Sequence, residues 1–213
     1  MRTELTAGWW KGVLPHHGGV PKAAIAAFRP DLAAKWFRET QRIRSEIELR
    51  HLKSVFAGAP LDVLDVGAGI GIHSLACQWL GHRVTTTDRA GSKFLPILEA
   101  LPLMLAEYTI GKDDRLPFED ASFDVVLCLS LLIKREAPFR ALIPGVMREL
   151  ARVLRPGGEM LVGWWKANAE QCWLSEFMPP DCIAQDVSQG YSPDPKRHDT
   201  TLYQYHYKLI RKP

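Results

Sequence analysis

Cysteine spacing of the metal-binding or disulfide kind is missing from this chain. Its four cysteines, Cys77, Cys128, Cys172 and Cys182, form no C-x-x-C pair and no His/Cys cluster. That argues against a zinc module or a disulfide scaffold, so no metal is expected. Long apolar runs are also missing. The longest uncharged one, Val125 to Ile133, falls far short of the roughly 20 residues that a membrane-spanning helix needs. The first residues carry Arg2, Glu4 and Lys11 without the apolar core of a signal peptide,. No internal repeat and no inserted cap domain is visible. These absences favour a reduced, cytoplasmic protein with no membrane partner.

What is present is ordinary in bulk and uneven in detail. The 213 residues, 46% hydrophobic and 24% charged, suffice for one domain with a full core and a small appendage. The net charge of +3 is concentrated early: residues 1 to 60 hold ten Lys/Arg against five Asp/Glu. A bias that modest permits an acidic partner without demanding one.

Residues 1 to 30 are irregular and rich in Gly, Pro and aromatics, including Trp9, Trp10, His16 and His17. Two readings apply to this arm. It packs on the domain and buries its tryptophans, or it closes over a site as a lid. A helix follows from Asp31, with Leu32, Trp36, Ile43 and Ile47 drawing one apolar stripe,. Its Arg, Lys and Glu residues, Glu46 and Glu48 among them, read as a solvated, salt-bridged face.

The organising stretch is Leu61 to Leu75. An apolar run through Asp62 and Asp65 to Val66 reads as a buried parallel strand,. Gly67, Ala68, Gly69 and Gly71 follow, and from Ile72 the sequence turns helical, ending near Gly81,. A dinucleotide fingerprint would need its last glycine at position 72. Here it falls one residue earlier. Arg83 to Asp88 is a β-branched run closing on an acid, seventeen residues beyond Gly71. A carboxylate at a second strand's end suits ribose hydroxyls. Residues 92 to 104 predict a short or broken helix, and Glu107 to Gly111 a third strand.

The pattern acidic-x-G-x-G-x-G from Asp65 resembles motif I of the class I S-adenosylmethionine (SAM)-dependent methyltransferases, of the small-molecule, type 11-like kind. Leu116-Pro117-Phe118, Phe123-Asp124-Val125-Val126 and Glu149 to Gly163, with the turn Pro156-Gly157-Gly158, are similar to that family in order and spacing. The resemblance spans about half of the chain. It implies an α/β fold, a doubly wound, seven-stranded, mostly parallel sheet with an antiparallel C-terminal strand. It makes residues 31–213 a single SAM-binding domain behind the arm. It implies SAM as cofactor and S-adenosylhomocysteine (SAH) as product.

Carried over residue by residue, the cofactor contacts are Asp65, Gly67, Ala68, Gly69, Gly71, Asp88, Arg89 and Leu129. Asp113, one position off the usual place, which is Lys112 here, or Asp114 beside it supplies the adenine acid. Relatives that act on small molecules often have a histidine some six residues past strand four. This chain has Lys134 there, so no base is inherited, and His16 and His17 become the catalytic candidates. Trp9, Trp10, Ser130, Lys134, Trp164 and Trp165 are the acceptor-side candidates. Toward the end, Ile183 to Val187 predicts strand six, Gln189 to Asp199 a loop, and the alternating run Thr200 to Ile210 a last strand.

The reaction expected is methyl transfer to an O or N atom of a small acceptor with apolar or aromatic surface. An RNA or protein methyltransferase is one alternative, although no N/D-P-P-Y stretch follows strand four. A SAM-binding protein without transferase activity is the other.

Overall fold

Val63, Leu64 and Val66 carry β1 (Asp62–Val66) into the core, each with no exposed surface. The computed structural model describes residues 2, 4, 45–99, 101, 103–109, 115–129, 131, 137–166, 173–191 and 202–213. His16, His17, Trp9, Trp10, Asp113, Asp114, Ser130, Lys134, the side chain of Trp165 and the first part of the expected helix from Asp31 lie outside the described residues. The chain falls into two compact units, Met1–Thr109 and Ile110–Pro213.

In the first unit, β1 pairs in parallel with β2 (Arg83–Asp88), and β2 with β3 (Met104–Glu107). α1 (Ile72–Leu80) covers the strands by burying Leu75, Ala76, Cys77 and Leu80, and it ends at Gly81 in the left-handed conformation, as expected. α2 (Leu95–Glu99) has five residues, short as its prolines require. The third strand lies earlier than expected. Tyr108 to Ile110 have the stronger β propensity, but register decides. Thr85 to Asp88 pair with Met104 to Glu107, and Thr86 Oγ1 donates to the Met104 carbonyl at 2.9 Å.

His82 clamps this unit at the start of β2. It is 5% exposed; its Nε2 lies 2.8 Å from the Val55 carbonyl, and its Nδ1 accepts the Leu61 N–H at 3.3 Å. The pair of bonds selects the neutral tautomer with the proton on Nε2. Burial lowers the pKa below the ordinary 6.5, partly offset by the Val55 bond. The folded value lies under the unfolded one. The clamp's contribution is therefore complete above about pH 6.5 and is lost as pH falls through the lowered value. His82→Ala should cost on the order of 1–3 kcal/mol near neutral pH. Urea denaturation should show the gap to wild type shrinking on acidification. A gap that stays constant from neutral pH to about pH 5 would refute the clamp.

In the second unit, β4 (Phe123–Leu129) pairs in parallel with β5 (Leu154–Lys166). β8 (Leu202–Arg211) runs antiparallel to β5, and β6 (Cys182–Asp186) antiparallel to β8. A three-residue strand, β7 (Gln189–Tyr191), also pairs with β8, where the sequence suggested only loop. The single turn α3 (Ala137–Arg140) precedes α4 (Ile143–Val153), which buries Ile143, Val146, Met147, Leu150 and Val153. Pro156-Gly157-Gly158 is an irregularity within β5, since pairing jumps from Phe123↔Leu154 to Val125↔Glu159. The fold class is the expected one, α/β and mostly parallel with antiparallel C-terminal strands. Among the described residues, no helix is long and apolar enough to cross a membrane.

Arg152 ties the turn before β4 to α4. Its guanidinium donates to the carbonyls of Leu116 (3.1 Å) and Phe118 (2.9 Å) and pairs with Glu149 (2.8 Å) and Asp120 (2.7 Å). Glu149 in turn accepts the Leu116 N–H at 2.9 Å. A planar fork makes these bonds together where an ammonium cannot. Arg152→Lys should therefore destabilise by about 1–3 kcal/mol, read as a lowered melting temperature. A melting curve that matches wild type would show the fork to be dispensable.

Candidate functional site

The glycine turn bends straight off the end of β1 and is pulled onto β2. The N–H groups of Gly67 and Ala68 both donate to the Thr87 carbonyl, at 2.9 and 3.0 Å. Gly67, Gly69 and Gly71 all have positive φ, at 72°, 59° and 73°, a backbone that only glycine adopts readily. Two of them differ in what surrounds them. A Cβ at Gly71 would meet Leu98, Leu101 and Leu103 at 3.1 to 3.4 Å. Among the described residues, a Cβ at Gly69 would meet nothing nearer than the Phe94 ring at 4.0 Å. Gly71 is thus packed tightly against the chain itself, whereas Gly69 keeps a bare face that is bordered, among the described residues, by the Phe94 ring at ordinary contact distance.

Asp88 closes β2 beside that bare face and is 9% exposed. One carboxylate oxygen, Oδ1, accepts the Arg89 N–H at 2.7 Å. Burial raises its pKa, while hydrogen bonds from the Arg89 amide, the Ser92 hydroxyl and the Gly69 amide act against the rise. A carboxylate offers about four acceptor sites. Those three donors orient the group and leave capacity for a hydroxyl. Arg89 is exposed, and its contribution here is its main-chain N–H.

Asp65 faces inward. It is 2% exposed, and its Oδ2 accepts the Ser74 hydroxyl at 2.6 Å. Burial raises its pKa, with His73 and Ser74 opposing. It braces the turn from below rather than presenting a free carboxylate above it. In the second unit, Leu129 is the last residue of β4, 7% exposed, and Trp164 on β5 is 2% exposed. No cluster of three or more His, Cys, Asp or Glu that could hold a metal occurs among the described residues.

Sequence reasoning missed the supports of this site. Glu48, assigned to a solvated face, is 2% exposed and pairs with His73 at 2.7 Å. Ser74 carried no motif, although its place nine residues after Asp65 in a strand–turn–helix is the only signal available.

A cradle with a bare backbone face beside an oriented carboxylate fits a nucleoside that brings hydroxyls and needs close approach. The matches to known proteins agree. Residues 64–162 match the family described as "Methyltransferase domain". A malonyl-[acyl-carrier protein] O-methyltransferase of Erwinia pyrifoliae is 33% identical over 158 residues, covering 74% of this chain and 56% of the relative. A ubiquinone biosynthesis O-methyltransferase of Albidiferax ferrireducens is 32% identical over 146 residues, covering 64% and 55%. The chain thus spans little more than half the length of these relatives. Among solved structures, the Burkholderia thailandensis 1,6-didemethyltoxoflavin-N1-methyltransferase, with bound 1,6-didemethyltoxoflavin and SAH, shares the fold. Its TM-score is 0.60 at 18% identity, covering 94% of this chain and 91% of that one. With the glycine turn and Asp88 in place, the domain at residues 64–162 belongs to the class I SAM-dependent methyltransferases.

Proposed function

We propose that this chain transfers a methyl group from SAM to an O or N atom of a small-molecule acceptor with apolar or planar surface. The observation that carries the reading is the bare face of Gly69 next to the oriented Asp88 carboxylate. SAM supplies an already activated sulfonium methyl, so alignment can provide much of the rate. In this reading Gly67 to Gly71 admit the cofactor without a Cβ in the way, and Asp88 accepts a ribose hydroxyl. Leu129, at the end of β4, borders the methyl group, and Asp113 or Asp114 takes the adenine amino group.

The small-molecule class is supported by the printed names of the Erwinia and Albidiferax relatives. An O or ammonium acceptor needs a base, and His16 or His17 of the arm is proposed for it. Trp9, Trp10, Ser130 and Lys134 are proposed on the acceptor side. Trp164 is already buried by the chain, so Trp165 is the member of the pair kept for the acceptor. Residues 31–213 act as one domain in this reading. A cytoplasmic setting goes with it, in keeping with the free thiols of Cys77, Cys128 and Cys182.

The test is incubation with methyl-labelled SAM and separate metabolite, RNA and protein fractions of the source organism. Label in a small molecule is the expected result. Label in RNA or protein would move the acceptor to those classes. Tight SAM binding with no transfer to any fraction would leave a SAM-binding protein without transferase activity.

A further inference from the structure

A buried charged cluster lies at the root of the glycine turn and has no part in the reading above. Glu48, in the helical stretch 45–49, is 2% exposed, and its Oε2 lies 2.7 Å from Nε2 of His73 in the first turn of α1. The next residue, Ser74, donates to Asp65 of β1 at 2.6 Å. Three elements therefore meet through charged or polar side chains just below Gly69. Burying a carboxylate is costly unless it is paired, and His73 supplies an opposite charge to Glu48 at 2.7 Å. Elsewhere the turn is bonded to β2 through the Gly67 and Ala68 N–H groups on the Thr87 carbonyl, and Gly71 packs against Leu98, Leu101 and Leu103. The Glu48–His73 pair supplies the turn's tie to the helical stretch 45–49. Gly71, the N-cap of α1, carries no side-chain cap that would fix the turn independently.

We propose that Glu48 and His73 are positioning residues for the cofactor, a strut that runs from the helical stretch 45–49 to the first turn of α1 and sets the glycine turn in its SAM-binding position. Neither residue touches the cofactor in this proposal; both act through the backbone of residues 69 to 73. The proposal rests on the glycine turn being the SAM cradle.

The strut carries a signature that packing alone lacks, because its strength depends on charge. Burial pulls the His73 pKa down, but Glu48 and, more weakly, Asp65 push it up further, and the net direction is upward from 6.5. Among the described residues, the charged groups acting on His73 are Glu48 from the helical stretch and Asp65 from β1. Cys77, one turn along α1, has its thiol pKa pushed far up by burial and stays neutral. As pH rises through the raised value, the imidazolium–carboxylate ion pair becomes a bond from neutral imidazole to the carboxylate, and the attraction between opposite charges is lost,. Cofactor affinity should therefore be highest below that value and decline above it.

The experiment is calorimetric titration of the full chain with SAH from about pH 6 to 8.5, with thermal melts alongside. Wild-type Kd should rise by about 3- to 10-fold across the range. Glu48→Gln, which keeps shape and an acceptor, and His73→Gln should each bind about 3- to 10-fold more weakly at the acid end. Both should show a flattened pH profile, and the double variant should be no weaker than either single one. A wild-type affinity that does not change with pH would overturn the strut. So would variants that melt earlier yet keep the wild-type affinity and profile. If wild type binds no SAH at any pH, the cofactor reading fails and the strut with it.

Discussion

Valine at position 69 should abolish SAM binding in a protein that still folds. Gly69 sits at φ 59°, where any L-residue costs roughly 1–2 kcal/mol and a β-branched one more. That cost is tolerable for a domain, because among the described residues a Cβ there finds only the Phe94 ring at 4.0 Å, an ordinary contact. The side chain instead fills the face that the proposed cofactor position needs, and a loss of more than about a hundredfold in affinity is expected. Gly71 provides the contrast. A Cβ there presses on Leu98, Leu101 and Leu103 at 3.1 to 3.4 Å, so Gly71→Ala should lower the melting temperature by several degrees. The fraction that stays folded should bind SAH within a few fold of wild type. Calorimetry on a folded Gly69→Val protein that binds like wild type would show that the cofactor does not lie against this turn.

The contrast between these two glycines marks a boundary in what the sequence makes legible. Three glycines after an apolar run announce a strand, a turn and a helix, because no other residue takes that backbone so easily. Which glycine faces a ligand depends on partners far along the chain, here Phe94 for one and Leu98 to Leu103 for the other. Asp88 was legible for a similar reason to the turn. It ends a β-branched run at a spacing that the α/β architecture sets, and the Gly67 and Ala68 bonds to Thr87 bring the two together.

β3 was placed too late because propensity favoured Tyr108 to Ile110, while pairing with β2 selects Met104 to Glu107. Glu48 was read as solvated because a glutamate on a helix usually is, and nothing local reveals a histidine 25 residues on. The last strand shows the same limit. Its alternation is visible in sequence, yet the face that carries His206 and Lys208 is covered, with His206 fully buried and Lys208 ion-paired with Glu159. Alternation reports two faces; it does not say whether the rest of the chain covers both.

Asp88→Ala should weaken SAM binding about ten- to a hundredfold, the equivalent of one charge-assisted hydrogen bond worth on the order of 1.5–3 kcal/mol. The structure permits that loss without collapse of the site. The glycine turn is secured to β2 by the Thr87 carbonyl, a main-chain acceptor that the substitution leaves intact. The Asp88 carboxylate also organises the loop behind it, through the Arg89 amide at 2.7 Å and the Ser92 hydroxyl, so some stability should go as well. Asp88→Asn separates the two roles. An amide oxygen can still accept from the loop, but the charge that strengthens a bond to a ribose hydroxyl is gone. Asp88→Asn should therefore melt close to wild type and bind SAH about tenfold more weakly. Adenine carries no ribose, so its much weaker binding should respond little to either change. Asp88→Asn binding SAH as tightly as wild type would remove Asp88 from the cofactor contacts and leave it as a brace for the loop at Arg89 to Ser92.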